Sequence, residues 1–180
     1  MPLILASQSP RRAKILADHG VAFEVVKTDA PEVAYPLDPE GTVVENARRK
    51  LAACGRTPAL AADTIVWYGG RIYGKPADLA EARACLRTLS GRTHHVFTGL
   101  AYDDGTGVRT ACERADVTFR DLSDDEIARY VELVHPTDRA GAYDIDEHGD
   151  MLIASFAGTY ENIMGLPVAP LRDLGIVADS

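Results

Sequence analysis

Short apolar runs alternate with capped helical segments in the first half of this chain and with tight turns in the second, an order that leaves few folds open. Leu3 to Ala6 reads as a buried strand, and Ser9 with Pro10 then supplies an N-cap and a first helical residue for a helix ending at Gly20. Phe23 to Lys27 is the next strand, and the Pro-rich stretch from Pro31 to Pro39 reads as a loop. Thr42 and Glu45 have capping-box spacing at the start of a helix that closes at Gly55, after which the small-residue strand Ala59 to Ala62 leads into Asp63. Gly69-Gly70 joins Ile65–Tyr68 to Arg71–Tyr73 as a hairpin, and a helix follows from Asp78 to Leu89, closed by Gly91. Val96 to Tyr102 and Val108 to Phe119 are β-rich and meet at the turn Asp103 to Gly107. Ser123 and Glu126 open a helix that His135-Pro136 ends; Met151 to Phe156 is a last strand and Pro167 to Leu174 a short last helix. The predicted fold class is α/β (mixed α+β), a mixed β-sheet with helices against it.

The chain has 180 residues, which suits a single domain over 1–180, and its 46% hydrophobic and 26% charged residues are those of a globular protein. A net charge of −8 opposes nucleic-acid binding unless a basic stripe is segregated on one face, and the sequence shows none. A polyanionic substrate remains open, provided basic side chains collect in one cleft and a metal neutralises part of the phosphate charge. Cys54, Cys85 and Cys112 have neither CxxC spacing nor a histidine at zinc-ligand distance, which argues against a disulfide framework and a structural metal site. The N-terminal order, apolar residues before arginines, is the reverse of a signal peptide, and no apolar stretch approaches membrane-spanning length. A cytoplasmic protein without membrane contact is expected.

The residue types suited to chemistry fall in separated groups. Ser7-Gln8-Ser9-Pro10-Arg11-Arg12 stands where a strand hands over to a helix N-terminus, where free N–H groups, the helix dipole, hydroxyls and guanidinium forks favour an anion; a plain capped helix with solvated arginines meets the same spacing. The GxxxxGK[ST] phosphate loop is absent. Asp63-Thr64 follows the small-residue strand, and a carboxylate there suits a metal or an attacking water's proton, though such residues also serve as plain turn or cap groups. Lys75, in Gly74-Lys75-Pro76, suits phosphate as a point charge or stands as surface loop. Glu32 and Lys50, taken singly, read as solvated surface. In Asp138 through Asp146 and Gly158 through Pro167, small residues permit close approach to a flat ligand, with Tyr143 placed to stack or hydrogen-bond. His94-His95 cannot easily share one ion, because adjacent strand residues point to opposite faces.

The order of these groups resembles the Maf family of nucleotide pyrophosphatases over nearly the whole chain: Leu5 through Arg12, Asn46-Ala47-Arg48-Arg49-Lys50, Ala62-Asp63-Thr64, Gly74-Lys75-Pro76, Asp138 through Tyr143, and Asn162 with Gly165-Leu166-Pro167. The resemblance implies an elongated mixed α/β fold with two lobes and a central cleft, similar to inosine triphosphate pyrophosphatases, commonly as a homodimer. It implies hydrolysis of nucleoside triphosphates with a divalent metal cation (Mg2+, Mn2+ or Co2+). Asp63 then matches the proton acceptor and Glu32 a metal-side carboxylate; Ser7, Arg12, Lys50 and Lys75 match phosphate-binding positions, and Arg11, Thr64 and Asp146 match positions tied to base selectivity. Asp63-Thr64 and Ala140-Gly141-Ala142-Tyr143 look like the branch acting on dTTP and UTP rather than the one preferring 7-methyl-GTP. That branch usually carries Gln where this chain has Asp146, which offers acceptors but no amide donor.

These residues suit attack of water on the α-phosphorus, with a metal at Glu32 and Asp63 and Asp63 taking the proton. Arg12, Lys50 and Lys75 would then stabilise phosphate charge, and Asp146 can be the acceptor for N3–H of uracil or thymine. Which carboxylate is base and which is ligand stays open at this level. The competing classes are a regulatory nucleotide-binding protein affecting cell division and a nucleic-acid-binding module, the latter disfavoured by charge.

Overall fold

The computed structural model covers residues 1–180. Its strands are β1 (Leu3–Leu5), β2 (Phe23–Val25), β3 (Ala59–Tyr68), β4 (Arg71–Tyr73), β5 (Thr93–Asp103), β6 (Val108–Phe119) and β7 (Ile153–Ala157). Its helices are α1 (Pro10–Asp18), α2 (Pro39–Cys54), α3 (Leu79–Leu89), α4 (Asp124–Val134), α5 (Tyr160–Met164) and α6 (Val168–Asp173). The strands form one seven-stranded mixed sheet in the order β2-β1-β3-β5-β6-β7, with β4 paired to the far part of β3. β1 runs parallel to β2 and β3, and every other pairing is antiparallel. The mixed α/β architecture expected from the alternation is the one found.

Most element boundaries follow the cap chemistry. Ser9 accepts from the Arg12 N–H, Asp78 from Glu81 and Ser123 from Glu126, each at the start of its helix. α2 departs from expectation by starting at Pro39, because Asp38 takes the cap position and accepts from Gly41 N–H at 2.9 Å. Thr42 therefore lies inside the helix and donates back to the Asp38 carbonyl, while Glu45 pairs with Arg49. β3 is one continuous strand, so Asp63 sits mid-strand rather than at a strand end. β5 begins at Thr93 and β7 at Ile153, and the 3-10 turns Ala140–Ala142 and Gly149–Met151 together with α5 have no counterpart in the sequence reading.

Strand alternation on β3 divides the molecule. Leu60, Ala62 and Val66 share one face, where two apolar clusters form. Leu60, Ala62 and Leu100 pack with Leu16 of α1 and Leu171 of α6, whereas Val66, Val96 and Phe119 pack with Leu86 of α3 and Tyr130 of α4. Thr64 and Thr98, cross-strand partners, form a polar seam between these two cores. The opposite face carries Ala59, Ala61 and Ala101 against Ala47 and Leu51 of α2.

Two further features position the site. β1 pairs with β3 only around Ala59 and Leu60, and β4 only with Val66 to Tyr68, so the intervening edge of β3 has no strand beside it. This leaves a notch in the sheet at Asp63. Directly across from Asp63 on β5 lies Gly99, and a Cβ there would stand 2.4 Å from the Val43 carbonyl carbon and 2.6 Å from Val44 N. Glycine thus lets α2 lie with its backbone almost on the sheet. Gly99→Ala should lift α2 and cost about 1–3 kcal/mol of stability, the usual range for overpacking, read as a lowered Tm in thermal unfolding. An unchanged Tm would show that α2 adapts without strain.

Candidate active site

The notch opens into a cleft of about 1050 Å³, a volume at the upper end for small-molecule sites. Its lining brings together Ser7, Arg11, Arg12, Glu32, Lys50, Asp63, Thr64 and Lys75, residues far apart in sequence.

Asp63 leaves β3 on the α2 side and is buried, with 6% of its surface exposed. Asn46 and Lys50, one helical turn apart on α2, face it together: Asn46 Nδ2 donates to Asp63 Oδ2 at 3.0 Å and Lys50 Nζ meets Oδ1 at 2.8 Å. Each carboxylate oxygen thus has its own donor, which answers the cost of burying the group. Asn46 does more. It also donates to the Val33 carbonyl at 3.0 Å and accepts from Val33 N–H at 2.8 Å, tying the loop that carries Glu32 to the same helix. Glu32 Oε1 stands 3.4 Å from Lys50 Nζ, although its side chain is 62% exposed.

Thr64 leaves the strand on the other face. Its hydroxyl accepts from Arg12 Nη2 at 3.0 Å and bonds Thr98 at 2.9 Å; since Thr98 donates to the Asn162 carbonyl, Thr64 is the donor to Thr98. Arg12 Nε donates to the Gly165 carbonyl at 2.7 Å and Nη1 to Ser7 Oγ at 3.2 Å, so three partners hold one guanidinium plane. Burial pulls the Arg12 pKa down to about 10, with Asp63 acting in the opposite sense, and the group stays cationic at neutral pH. Ser7 Oγ accepts from Ser9 N–H and from Arg12, leaving its own proton for a ligand at the N-terminus of α1. Lys75 lines the cleft on an exposed loop. Arg11 contributes one long ion pair, Nη1 to Asp144 Oδ2 at 3.7 Å.

Asp146 does not line the cleft. It is exposed and accepts from the Tyr160 hydroxyl at 2.5 Å; two residues earlier, Asp144 is buried in the cleft wall. The displacement follows from the turn after Tyr143, in which Asp144 Oδ1 accepts from Asp146 N–H at 2.9 Å and directs the Asp146 side chain outward. Tyr143 is buried in the wall with its hydroxyl 2.8 Å from His94 Nε2. Burial holds the His94 pKa down at about 3, so this histidine is a neutral core residue, while His95 on the opposite face pairs with Asp116.

Asn46 and Asp144 are polar groups of the cleft to which the sequence reading gave no role of their own. Asn46 carried a usable signal, since it stands four residues before Lys50 on the helix predicted to present that lysine. Asp144 carried none, because only the tertiary path of the Asp138–Asp146 segment decides which of its acids turns inward.

No three His, Cys, Asp or Glu side chains converge as a metal cage. Glu32 and Asp63 nevertheless converge on the single cationic head of Lys50. That donor set fits a hard divalent ion of the kind that takes one or two carboxylates and fills its other positions with phosphate oxygens and water.

A sequence model of the Maf-like protein family matches residues 2–175 of the chain. The chain is 42% identical over 172 residues to a dTTP/UTP pyrophosphatase of Akkermansia muciniphila, spanning 93% of this chain and 91% of that protein. It is likewise 42% identical over 174 residues to a dTTP/UTP pyrophosphatase of Bacillus cytotoxicus (93% and 91%), and 40% identical over 175 residues to one of Bacillus anthracis (94% and 91%). With the family model spanning nearly the whole length and relatives this similar over both chains, the protein belongs to the Maf-like protein family.

Proposed function

We propose that this chain hydrolyses nucleoside triphosphates, dTTP and UTP foremost, to the monophosphate and pyrophosphate, in a house-cleaning role on the nucleotide pool. The observation that carries the reading is Asp63, a buried carboxylate in a sheet notch, held by Asn46 and Lys50 and facing a cleft that also gathers Arg12, Lys75 and the N-terminus of α1. The names of the relatives supply the substrate class.

In the proposed reaction, a water oxygen bonds to the α-phosphorus as the bond to the bridging oxygen breaks. Pyrophosphate departs with that electron pair and Asp63 takes the water's proton. Ser7 and the first turn of α1 bind phosphate oxygens by hydrogen bonds; Arg12, fixed by Thr64 and Gly165, presents a preorganised charge. Lys75 reaches the phosphates from its loop as a point charge, and Lys50 balances the carboxylate pair while adding charge beside the reacting phosphate. Glu32 and Asp63 would hold a divalent cation, which supplies charge neutralisation and a lowered pKa for the attacking water. Half-buried apolar side chains such as Ile72, Ala140 and Ile163 line the cleft as a surface for the base. The family resemblance supports a homodimer. No helix is long and apolar enough to cross a membrane, and we place the working protein in the cytoplasm, without nucleic-acid partners.

Pyrophosphate release from dTTP, UTP, CTP and 7-methyl-GTP with Mg2+, Mn2+ or Co2+ tests the activity. Fastest release from dTTP or UTP, abolished by a chelator and restored by metal, is expected; tight nucleotide binding without any release would leave a regulatory binder instead. Asp63→Asn should lower kcat by about 10²- to 10⁴-fold with nucleotide affinity largely kept, as expected for a group that takes a proton in the transition state. Near wild-type turnover by the folded variant would remove Asp63 from the reaction. Arg12→Ala and Lys75→Ala should each lose at least ~10²-fold in kcat/KM. If both keep full efficiency, the phosphates lie elsewhere.

A further inference from the structure

The wall of the cleft beside Arg11 carries a carboxylate more tightly fixed than a surface ion pair requires. Asp144 is 7% exposed, and its backbone is clamped by the buried Tyr130 of α4, whose hydroxyl accepts from Asp144 N–H at 2.9 Å and donates to its carbonyl at 3.4 Å. Its side chain is clamped as well, with Oδ2 receiving Arg139 Nε at 3.2 Å and standing 3.7 Å from Arg11 Nη1, and Oδ1 receiving Asp146 N–H. Arg139 is committed to structure, since it also binds Asp138 and Glu147, each at 2.6 Å. Arg11, which lines the cleft, has only this long contact, so most of its donors have no protein partner.

A carboxylate has about four acceptor sites, and these contacts occupy at most three of those on Asp144. The wall therefore presents, side by side, a fixed acceptor and a guanidinium with spare donors. Uracil and thymine display a carbonyl next to the N3–H donor, which an acceptor–donor pair meets directly. In the register that uracil takes, cytosine puts an unprotonated N3 acceptor against the carboxylate and leaves two acceptors face to face in a buried site; the same pair meets the cytosine N4 amino group and N3 only if the ring shifts along the wall.

We propose that Asp144 is the residue that reads the base, accepting from N3–H of a uracil or thymine ring while Arg11 donates to the adjacent carbonyl, and that the exposed Asp146 has no part in it. The inference rests on the nucleoside triphosphate reading of the same cleft. It concerns binding as well as turnover, so the two can fail separately.

The experiment measures Kd for the non-hydrolysable α,β-imido analogues of UTP, CTP and N3-methyl-UTP, with kcat/KM for UTP and CTP in parallel, on the wild type, Asp144→Asn and Asp146→Asn. On wild type, the UTP analogue should bind about 10- to 100-fold more tightly than the CTP and N3-methyl analogues. Asp144→Asn should narrow the uracil-to-cytosine ratio, because an amide can turn its donor toward cytosine N3. A merely structural Asp144 would instead shift both nucleotides by the same factor. Should Asp144→Asn fail to fold, the N3-methyl comparison on wild type still decides: equal binding of methylated and unmethylated uracil overturns the proposal. So does a ratio that changes in Asp146→Asn but not in Asp144→Asn. Uracil preference in binding without pyrophosphate release would overturn the hydrolase reading while supporting this one, and release with no preference between the bases would do the reverse.

Discussion

The close seat of α2 on the sheet at Gly99 is the constraint on which the rest of the cleft depends. A helix normally stands off a sheet by the length of its side chains; here the missing Cβ lets the Val43–Val44 backbone touch the strand opposite Asp63. That approach puts Asn46 and Lys50 within hydrogen-bond range of the carboxylate, whereas a larger residue would hold them away. The apolar flank of the same helix, Ala47 and Leu51 against Ala59, Ala61 and Ala101, is built from small side chains for the same reason. Packing density therefore sets the electrostatics of the site. A short donor–acceptor distance at Asp63 is the product of a close backbone contact on the neighbouring strand.

Asp63 and Thr64 show how a single strand serves two purposes. Being adjacent, they leave β3 on opposite faces, and each has a cation as partner: Lys50 for Asp63, Arg12 for Thr64. The notch between β1 and β4 gives both residues access to one cleft. Thr64 passes its hydrogen bond to Thr98 and on to the Asn162 carbonyl, so Arg12 is anchored through the polar seam between the two apolar cores. A guanidinium with three fixed acceptors has little freedom left to lose when a phosphate arrives, which is the physical content of preorganisation.

Net charge misdescribes such a protein. The chain carries −8 overall, yet the cleft lining gathers six Arg and Lys side chains against five Asp and Glu, so a polyanion meets a concentration of cations there that the average charge does not show. Glu32 and Asp63 stand among these cations and give a divalent ion a place to add its charge.

The sequence by itself determined what depends on neighbours along the chain. Caps at Ser9, Asp78 and Ser123, the Gly69-Gly70 hairpin and the strand-to-helix handover at Ser7–Arg12 were legible because a few adjacent residues satisfy local backbone groups. The ordered motifs made the family legible as well. Three-dimensional structure alone decided the rest: that Asp63 lies mid-strand at an uncovered edge, that Asn46 joins it to the Glu32 loop, and that Asp144 rather than Asp146 turns into the cleft. Each of these depends on contacts between segments distant in sequence. Spacing records which side chains are available, but where two acidic residues stand two apart on an irregular turn, only the groups packed beneath it, here Tyr130 and Arg139, select the one that faces inward.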